Sequence, residues 1–417
     1  MTEDKKNKID IFFRVVTLTL AGSFVYAMHA GVRNNYGIML KPIIDHSGMS
    51  FASVSFILAV GQLIYGLVQP AFGILAARKG KVCVLVSGAV LTVAGMILMP
   101  LCRREAALML CLGILLPAGS GAISYGIIME TITPKIPPRS VSHVSGVINA
   151  SSGIGNTVMS PIINALLRVG GLRHGMLILS VPMALTLPIS LLLARRRKRT
   201  MAEAVSQPHS AAKGSAMETL REAFRNRAYA YLMIGFLTCG FHMALITHHL
   251  PTHIQSFGFS SESVAYVFSI YGVTTILGSL SSGSMCNKFR MKNVLGFYYG
   301  LRPITLLLFL SIPKTLLTVS FFTALFGFSG AATVPPVVGI INKRFGAESI
   351  STLFGFVFFA HQIGGFFGAW LGGVCFEMTG SYTPIWLVGI VSSALASAVS
   401  FAIGRNEDAP MQKTRER

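Results

Sequence analysis

Charge is scarce in this sequence. Only 12% of its 417 residues are Asp, Glu, Lys or Arg, about half the share in a soluble globular domain, so a water-soluble fold is excluded. The shortage is one-sided, with 15 acidic residues against 35 basic ones. Asp10, Asp45, Glu105, Glu130, Glu262, Glu348 and Glu377 fall at the ends of apolar stretches or in short loops, and the other acids in polar tails or a central polar segment. No carboxylate is therefore deep enough in an apolar stretch to carry a proton or hold a cation across a membrane. Cysteine is equally unhelpful. Cys83, Cys102, Cys111, Cys239, Cys286 and Cys375 are scattered without a C-x-x-C pair, which argues against a disulfide framework. With no HExxH either, no metal or other cofactor is expected. The sequence has no G-x-x-x-x-G-K-[ST], so ATP drive is not expected, and no nucleophile–base pair stands out, so an enzyme is not expected. The net charge of +20 would suit nucleic acid, but the basic residues alternate along short loops and form no single face.

Hydrophobic residues make up 52% of the chain, with 42 glycines, as expected where helices pack closely in lipid. Twelve apolar segments follow one another, at 12–40, 52–76, 82–101, 106–129, 141–167, 174–194, 229–256, 263–284, 293–312, 315–341, 350–376 and 384–404. Most are long enough to cross a bilayer as a helix. The class is an all-α membrane protein with twelve transmembrane helices, numbered here one to twelve. The first apolar run is too long for a signal-peptide core and reads as an uncleaved first helix. Lys and Arg concentrate in every second loop, at Lys5 to Lys8, Arg78 to Lys81, Lys135 and Arg139, Arg195 to Arg227, Lys288 to Lys292, Lys343 and Arg344, and the C-terminal tail. The positive-inside bias puts both termini and these loops in the cytoplasm, which for a bacterial chain means the inner membrane. The segment 195–227 divides the helices six and six. The expected organisation is a bundle over 1–194, a basic linker over 195–227, and a second bundle with a cytoplasmic tail over 228–417. Within the linker, SAMETLREAFRNR suits a short amphipathic helix on the membrane surface.

An internal repeat supports the division. After helix two comes Gly73-Ile-Leu-Ala-Ala-Arg78-Lys79-Gly80-Lys81, and after helix eight Gly283-Ser-Met-Cys-Asn-Lys288-Phe-Arg290-Met-Lys292. Both copies resemble the loop motif of the major facilitator superfamily, G-x-x-x-[DE]-[RK]-x-G-[RK]-[RK]. They depart from it at the acid, which is Ala77 in one copy and Asn287 in the other. Three blocks are similar to the bacterial monocarboxylate-porter branch, which includes relatives of oxalate/formate exchangers. They are GVRNNYGIMLKPIIDHSGMS (Gly31 to Ser50), CGFHMALITHHLP (Cys239 to Pro251) and AHQIGGFFGAWLGGVCFEMTGSY (Ala360 to Tyr382). The resemblance implies two pseudo-symmetric six-helix bundles with the ligand site between them, and anion transport by rocking of the halves. It also implies Arg33 as a site residue, and Gly73, Arg78, Gly80, Gly283 and Lys288 as gating or packing positions. Members of the branch often carry an arginine on helix eight, where this chain has the uncharged TTILGSLSSG with Ser279. Arg302 on helix nine is the nearest substitute.

Charged and polar residues inside the apolar segments are the candidates for function. Arg33 sits toward the outer half of helix one, with His29 a turn earlier and Tyr26 and Tyr36 near the same face. A guanidinium with phenols beside it suits a carboxylate, whereas the competing reading has Arg33 snorkelling to the outer headgroups. Arg302, followed by Pro303, either contacts the substrate or anchors helix nine to carbonyls of a neighbour. Asn149, Gly153, Asn156, Ser160 and Asn164 make one polar face on helix five, expected to line the cavity, and Tyr125 lies on a bent helix four. His361, near mid-membrane on helix eleven, is the first choice for proton coupling. His242 and His249, seven apart and so on one face of helix seven, come next. Gly364, Gly368 and Gly372 form a small-residue ridge for packing.

These features converge on a secondary transporter of a small organic anion, a monocarboxylate, coupled to protons by symport or working by anion exchange. The chain is expected to function as a monomer in a lipid bilayer, with no nucleic-acid partner. An efflux carrier for drugs or other metabolites is the alternative, weakened by the missing buried acid.

Overall fold

The computed structural model describes residues 3–194, 216–346 and 349–404. Within them the elements are helical throughout, and eleven continuous stretches are long and apolar enough to span a membrane. One of these, Val144–Ala194, runs 51 residues, about 76 Å if straight, twice a bilayer core. It folds back at Gly171, whose φ of 64° and ψ of −170° no helix accommodates. Helices five and six meet there, so the spans number twelve, packed as two six-helix bundles. Helices five and six occupy Pro138–Ala184 and Thr186–Ala194 between them. The other spans are helix two at Phe51–Lys79, three at Lys81–Leu98 and four at Glu105–Lys135. In the second bundle, helix seven is Arg227–Ser256, eight Ser261–Cys286, nine Met291–Ser311, ten Leu316–Phe345 and twelve Thr383–Phe401. Helix eleven is Ile350–Thr379.

Local chemistry sets the helix starts. The Ser50 hydroxyl accepts from the Ser53 amide at 3.1 Å to begin helix two, and Ser260 does the same for helix eight. Thr315 and Thr318 cap helix ten reciprocally. The linker contributes a surface helix at Ala216–Arg225, where amphipathic character was expected. The rest of the linker, 195–215, and the tail, 405–417, lie outside the described residues.

Helix one is longer than its hydropathy suggests. Glu3–Asn34 breaks at Asn35 (φ −107°, ψ 15°) and continues as Tyr36–Ser47. Lys41, read from sequence as a loop residue, is inside this extension and pairs with Asp45 at 2.9 Å. The extension also moves Arg33. It now lies about fourteen residues, or about 21 Å, from the helix end at Ser47. That sets it back from the helix end, level with the middle of helix two.

One membrane face carries the turns at Lys79 to Lys81, Lys135 and Arg290; we term it the basic face, and the opposite one the far face. Buried apolar residues form three main clusters. One belongs to the first bundle alone, including Val25, Val84, Ile128 and Leu193. A second belongs to the second bundle alone, including Tyr229, Leu295, Ile340 and Ile403. The largest spans both, from Met39 and Leu58 to Phe268 and Trp386. The contacts that join the halves concentrate toward the far face. There Glu377 accepts from the Ala52 amide at 2.6 Å, Phe51 packs on Phe376 with centroids 5.0 Å apart, and Arg168 pairs with Glu262.

Candidate functional site

Arg33 reaches from helix one over the ring of Tyr65 on helix two, its guanidinium carbon 4.2 Å from the ring centroid. Tyr65 lies about 21 Å below the start of helix two at Phe51, the depth derived for Arg33. The stacking satisfies the face of the guanidinium but none of its five N–H donors, which project from the edge. Among the described residues, the ion pairs are Lys41–Asp45, Lys81–Glu130, Arg168–Glu262 and Arg344–Glu222. Arg33 belongs to none of them. Tyr26, Tyr36 and His248 lie within reach of its charge, and so does Tyr271 on helix eight of the other half.

The other half meets this region through His248. Its Nε2 lies 2.9 Å from Nε2 of Gln62 on helix two, and its ring stacks at 6.4 Å on Tyr36. The residue owes its aim to a wide π-helical turn at Leu245–His249. Such a turn inserts one residue and rotates everything beyond it. The expectation that His242 and His249 share a face fails for that reason. Nδ1 of His242 is 2.8 Å from the Thr238 carbonyl, and its Nε2 is 3.0 Å from that of Gly389 on helix twelve. His249 turns to helix eleven, with Nε2 2.6 Å from the Ala369 carbonyl. Both are fully buried. Each ties helix seven to a neighbour within the second bundle, and His249 does so among the far-face aromatics Phe51 and Tyr382.

Arg302 is also fully buried. Helix ten breaks at Ala331–Thr333, and Arg302 Nη2 donates to the freed Ser329 carbonyl at 2.9 Å and Gly330 carbonyl at 3.3 Å. The same nitrogen lies 3.4 Å from the Cys239 sulfur on helix seven. This is the anchoring role: a buried cation holding a broken helix. The anchor is incomplete, however, because Nε and Nη1 of Arg302 have no hydrogen-bond partner. Tyr271 lies within electrostatic reach of both Arg302 and Arg33. His361 lies beside Cys239 and stacks on Phe358 at 5.6 Å. It is half-buried and shares its Nδ1 with Gln362 at 3.2 Å.

Other candidates are placed differently from the sequence reading. His29 points into the first bundle, 3.5 Å from the hydroxyls of Thr92 on helix three and Thr186 on helix six. It takes part in packing, not in the Arg33 surface. The helix-five stripe is mostly closed against the other half. Asn156 accepts from Asn35 at 3.1 Å and donates to the Phe268 carbonyl at 3.2 Å. Ser160 donates to the Ala265 carbonyl at 2.9 Å. Asn149, two turns nearer the basic face, is exposed. A polar face signals only that something polar lies opposite, and here backbone carbonyls of helix eight fill that place. Tyr125 begins a new helical stretch after the break at Ile123 and Ser124; it hydrogen-bonds Ser145 and packs at 6.0 Å on Tyr26. Tyr65, Gln62 and Tyr271 were not singled out in sequence, where a Tyr or Gln in an apolar helix carries no distinguishing spacing.

The motif loops and glycine ridge occupy the bundle's frame. Lys81 pairs with Glu130 at the end of helix four, 3.2 Å away, so an acid outside the motif serves the first copy. Gly80 has a φ of 90°, a conformation suited to glycine. Gly73 and Gly283 have open space where a Cβ would stand. Arg78 and Lys288 are exposed at the basic face. By contrast, a Cβ on Gly364 would stand 1.8 Å from the Leu237 carbonyl oxygen, and one on Gly368 2.3 Å from that of Phe241. Helices seven and eleven touch backbone to backbone there.

Comparison with known proteins agrees with this architecture. The bacterial homologue of the human lysosomal transporter Spinster, solved in an inward-facing and unoccupied conformation, superposes with a TM-score of 0.74, covering 94% of this chain and 98% of that one at 16% identity. In sequence, the chain is 24% identical over 408 residues to the uncharacterized MFS-type transporter YcxA of Bacillus subtilis, covering 93% of this chain and 94% of that protein. It is 23% identical over 376 residues to Monocarboxylate transporter 13 of Rattus norvegicus, with 89% and 84% covered. The oxalate:formate antiporter of Oxalobacter formigenes is 22% identical over 385 residues, with 90% and 87% covered. The Major Facilitator Superfamily model matches residues 22–292 and 254–417. Twelve helices in two bundles, a basic loop repeated at the same place in each, and a family match running nearly end to end make this chain a member of the Major Facilitator Superfamily.

Proposed function

We propose that the protein is a secondary active transporter of a small organic anion, a monocarboxylate, working by alternating access. The observation that carries this reading is Arg33. It stands level with the middle of helix two, its face on Tyr65 and its N–H edge open, and it has no carboxylate in ion-pair contact. A carboxylate ligand takes two parallel donors from such an edge, and the neighbouring phenols of Tyr26 and Tyr36 add hydrogen bonds. Arg302 gives the opposite half a second charge, and Tyr271 lies within electrostatic reach of both. An anion between them attracts both halves, so binding draws the basic side together while the far-face contacts give way. Homology supports the substrate class: relatives named for monocarboxylate and for oxalate and formate transport align over most of the chain.

Coupling in this scheme rests on a histidine or on the substrate itself, because the interior offers no acid. His361 is the first choice, as a half-buried ring beside Cys239. In this scheme proton and anion support each other's binding, as linkage requires. His242 is second. Uptake into vesicles with an imposed pH gradient, inside alkaline to outside, checks this. The parent is expected to accumulate substrate, and His361→Gln to lose the response to the gradient while still exchanging anions. A gradient response intact in both His361→Gln and His242→Gln removes these histidines from the coupling. A parent indifferent to the gradient makes anion exchange the mechanism.

In our reading the basic face is cytoplasmic, with both termini and the 195–227 linker inside, and the membrane is the bacterial inner membrane. The bundles are then 1–194 and 228–417, and one chain suffices for the site between them. A cysteine placed at Gln207 is expected to resist an impermeant maleimide added to intact cells and to react once the membrane is opened. Fast labelling of intact cells would invert the topology.

A further inference from the structure

The linker helix Ala216–Arg225 lies outside the proposed transport pathway. Its apolar side is docked: Ala223 is fully buried, and Phe224 packs edge-on against Tyr229 and Phe356 with centroids 5.7 and 5.6 Å apart. Its basic side, Arg221 and Arg225, borders an open surface pocket of about 430 Å³ that Asn226, Glu222 and Arg344 also line. Arg344 comes from the end of helix ten, so two separate elements bring guanidiniums to one space. The described residues that line it include three guanidiniums and one carboxylate, Glu222, which lies 3.7 Å from Arg344. Phe224 remains about half exposed beside the pocket. An arginine cluster of this kind matches the geometry and charge of a phosphate, and an apolar ring at the same level matches acyl chains.

We propose that this pocket binds the phosphodiester headgroup of an anionic phospholipid from the leaflet at the basic face. The phosphate bridges Arg221 and Arg225 of the linker helix to Arg344 of helix ten, and the lipid's acyl chains run past Phe224. The bound lipid thereby fastens the linker helix to the second bundle.

The full chain in nanodiscs of phosphatidylcholine alone, or of an equal mixture with phosphatidylglycerol, tests the proposal. Bound lipid is read by native mass spectrometry and by melting temperature. Phosphatidylglycerol is expected to bind and raise the melting temperature of the parent. Arg221→Gln/Arg225→Gln is expected to bind it about thirtyfold more weakly. The control Lys288→Gln/Arg290→Gln, on a basic loop at the same face, should retain parental binding. Arg221→Lys/Arg225→Lys, which keeps charge but not the planar fork, should fall between and shows that the helix still folds. Equal binding by the parent and the Arg221→Gln/Arg225→Gln protein would overturn the site. Displacement of the lipid by soluble glycerol phosphate at equal concentration would overturn its membrane source.

Discussion

Replacing Arg33 with glutamine is expected to abolish most anion uptake while leaving folding unchanged. The substitution keeps a hydrogen-bonding group of similar length but removes the charge and the second parallel donor. Losing a charge-assisted bidentate contact in a low-dielectric site weakens binding by about 2.8 kcal/mol, or about a hundredfold. Folding is spared because the side chain contributes only its stacking on Tyr65, 4.2 Å to the ring centroid, and joins no ion pair among the described residues. Uptake per molecule in proteoliposomes, with the melting temperature measured alongside, separates the two effects. Lysine at this position restores charge without the fork and should recover a small part of the activity. Arg302→Gln should behave differently. Two helix-ten carbonyls lose their donor, so stability falls together with uptake.

The second large effect concerns the seam between helices seven and eleven. A Cβ on Gly240 would stand 1.7 Å from the His361 carbonyl oxygen, a backbone atom that cannot swing away. Gly240→Ala therefore forces the helices apart along a seam that also includes Gly364 and Gly368. Overpacking of this kind costs about 3 kcal/mol or more, seen as a melting temperature lowered by about 5 °C or more. Gly355→Ala, on the same helix eleven but with nothing within 4 Å of the added atom, should leave the melting temperature unchanged. Because the Gly240 contact is to His361 itself, even a folded Gly240→Ala protein is expected to shift that ring and weaken coupling.

Different parts of this arrangement were legible in the sequence to different degrees, for physical reasons. The spans could be read because a bilayer demands about twenty apolar residues whatever their neighbours. Even the join of helices five and six, which follow each other without a loop, fell between the separate apolar segments 141–167 and 174–194. Arg33 stood out because a guanidinium in an apolar stretch is costly. Its stacking partner did not, since Tyr65 looks like any aromatic in a membrane helix. The helical extension beyond Arg33 was not legible because Lys41 seemed to end helix one, whereas an i,i+4 pair with Asp45 offsets that charge and lets the helix continue. The helix-seven histidines were misassigned because seven residues make two turns only if every turn holds 3.6. The π-helical turn at Leu245–His249 breaks that count and brings His248 to the interface between the halves. On helix five the polar spacing was read correctly, but hydrogen bonding to helix eight and lining a cavity require the same residue types.

Direct binding of short carboxylates to purified parent and Arg33→Gln proteins tests the central claim most directly, since it needs neither a gradient nor a known direction of transport. Isothermal titration against a panel of monocarboxylates, dicarboxylates and neutral amides of matched size is the measurement. The account predicts that a monocarboxylate binds the parent, that its amide does not, and that Arg33→Gln binds the acid about a hundredfold more weakly. Equal affinity for acid and amide, or equal binding by the parent and Arg33→Gln, would contradict it.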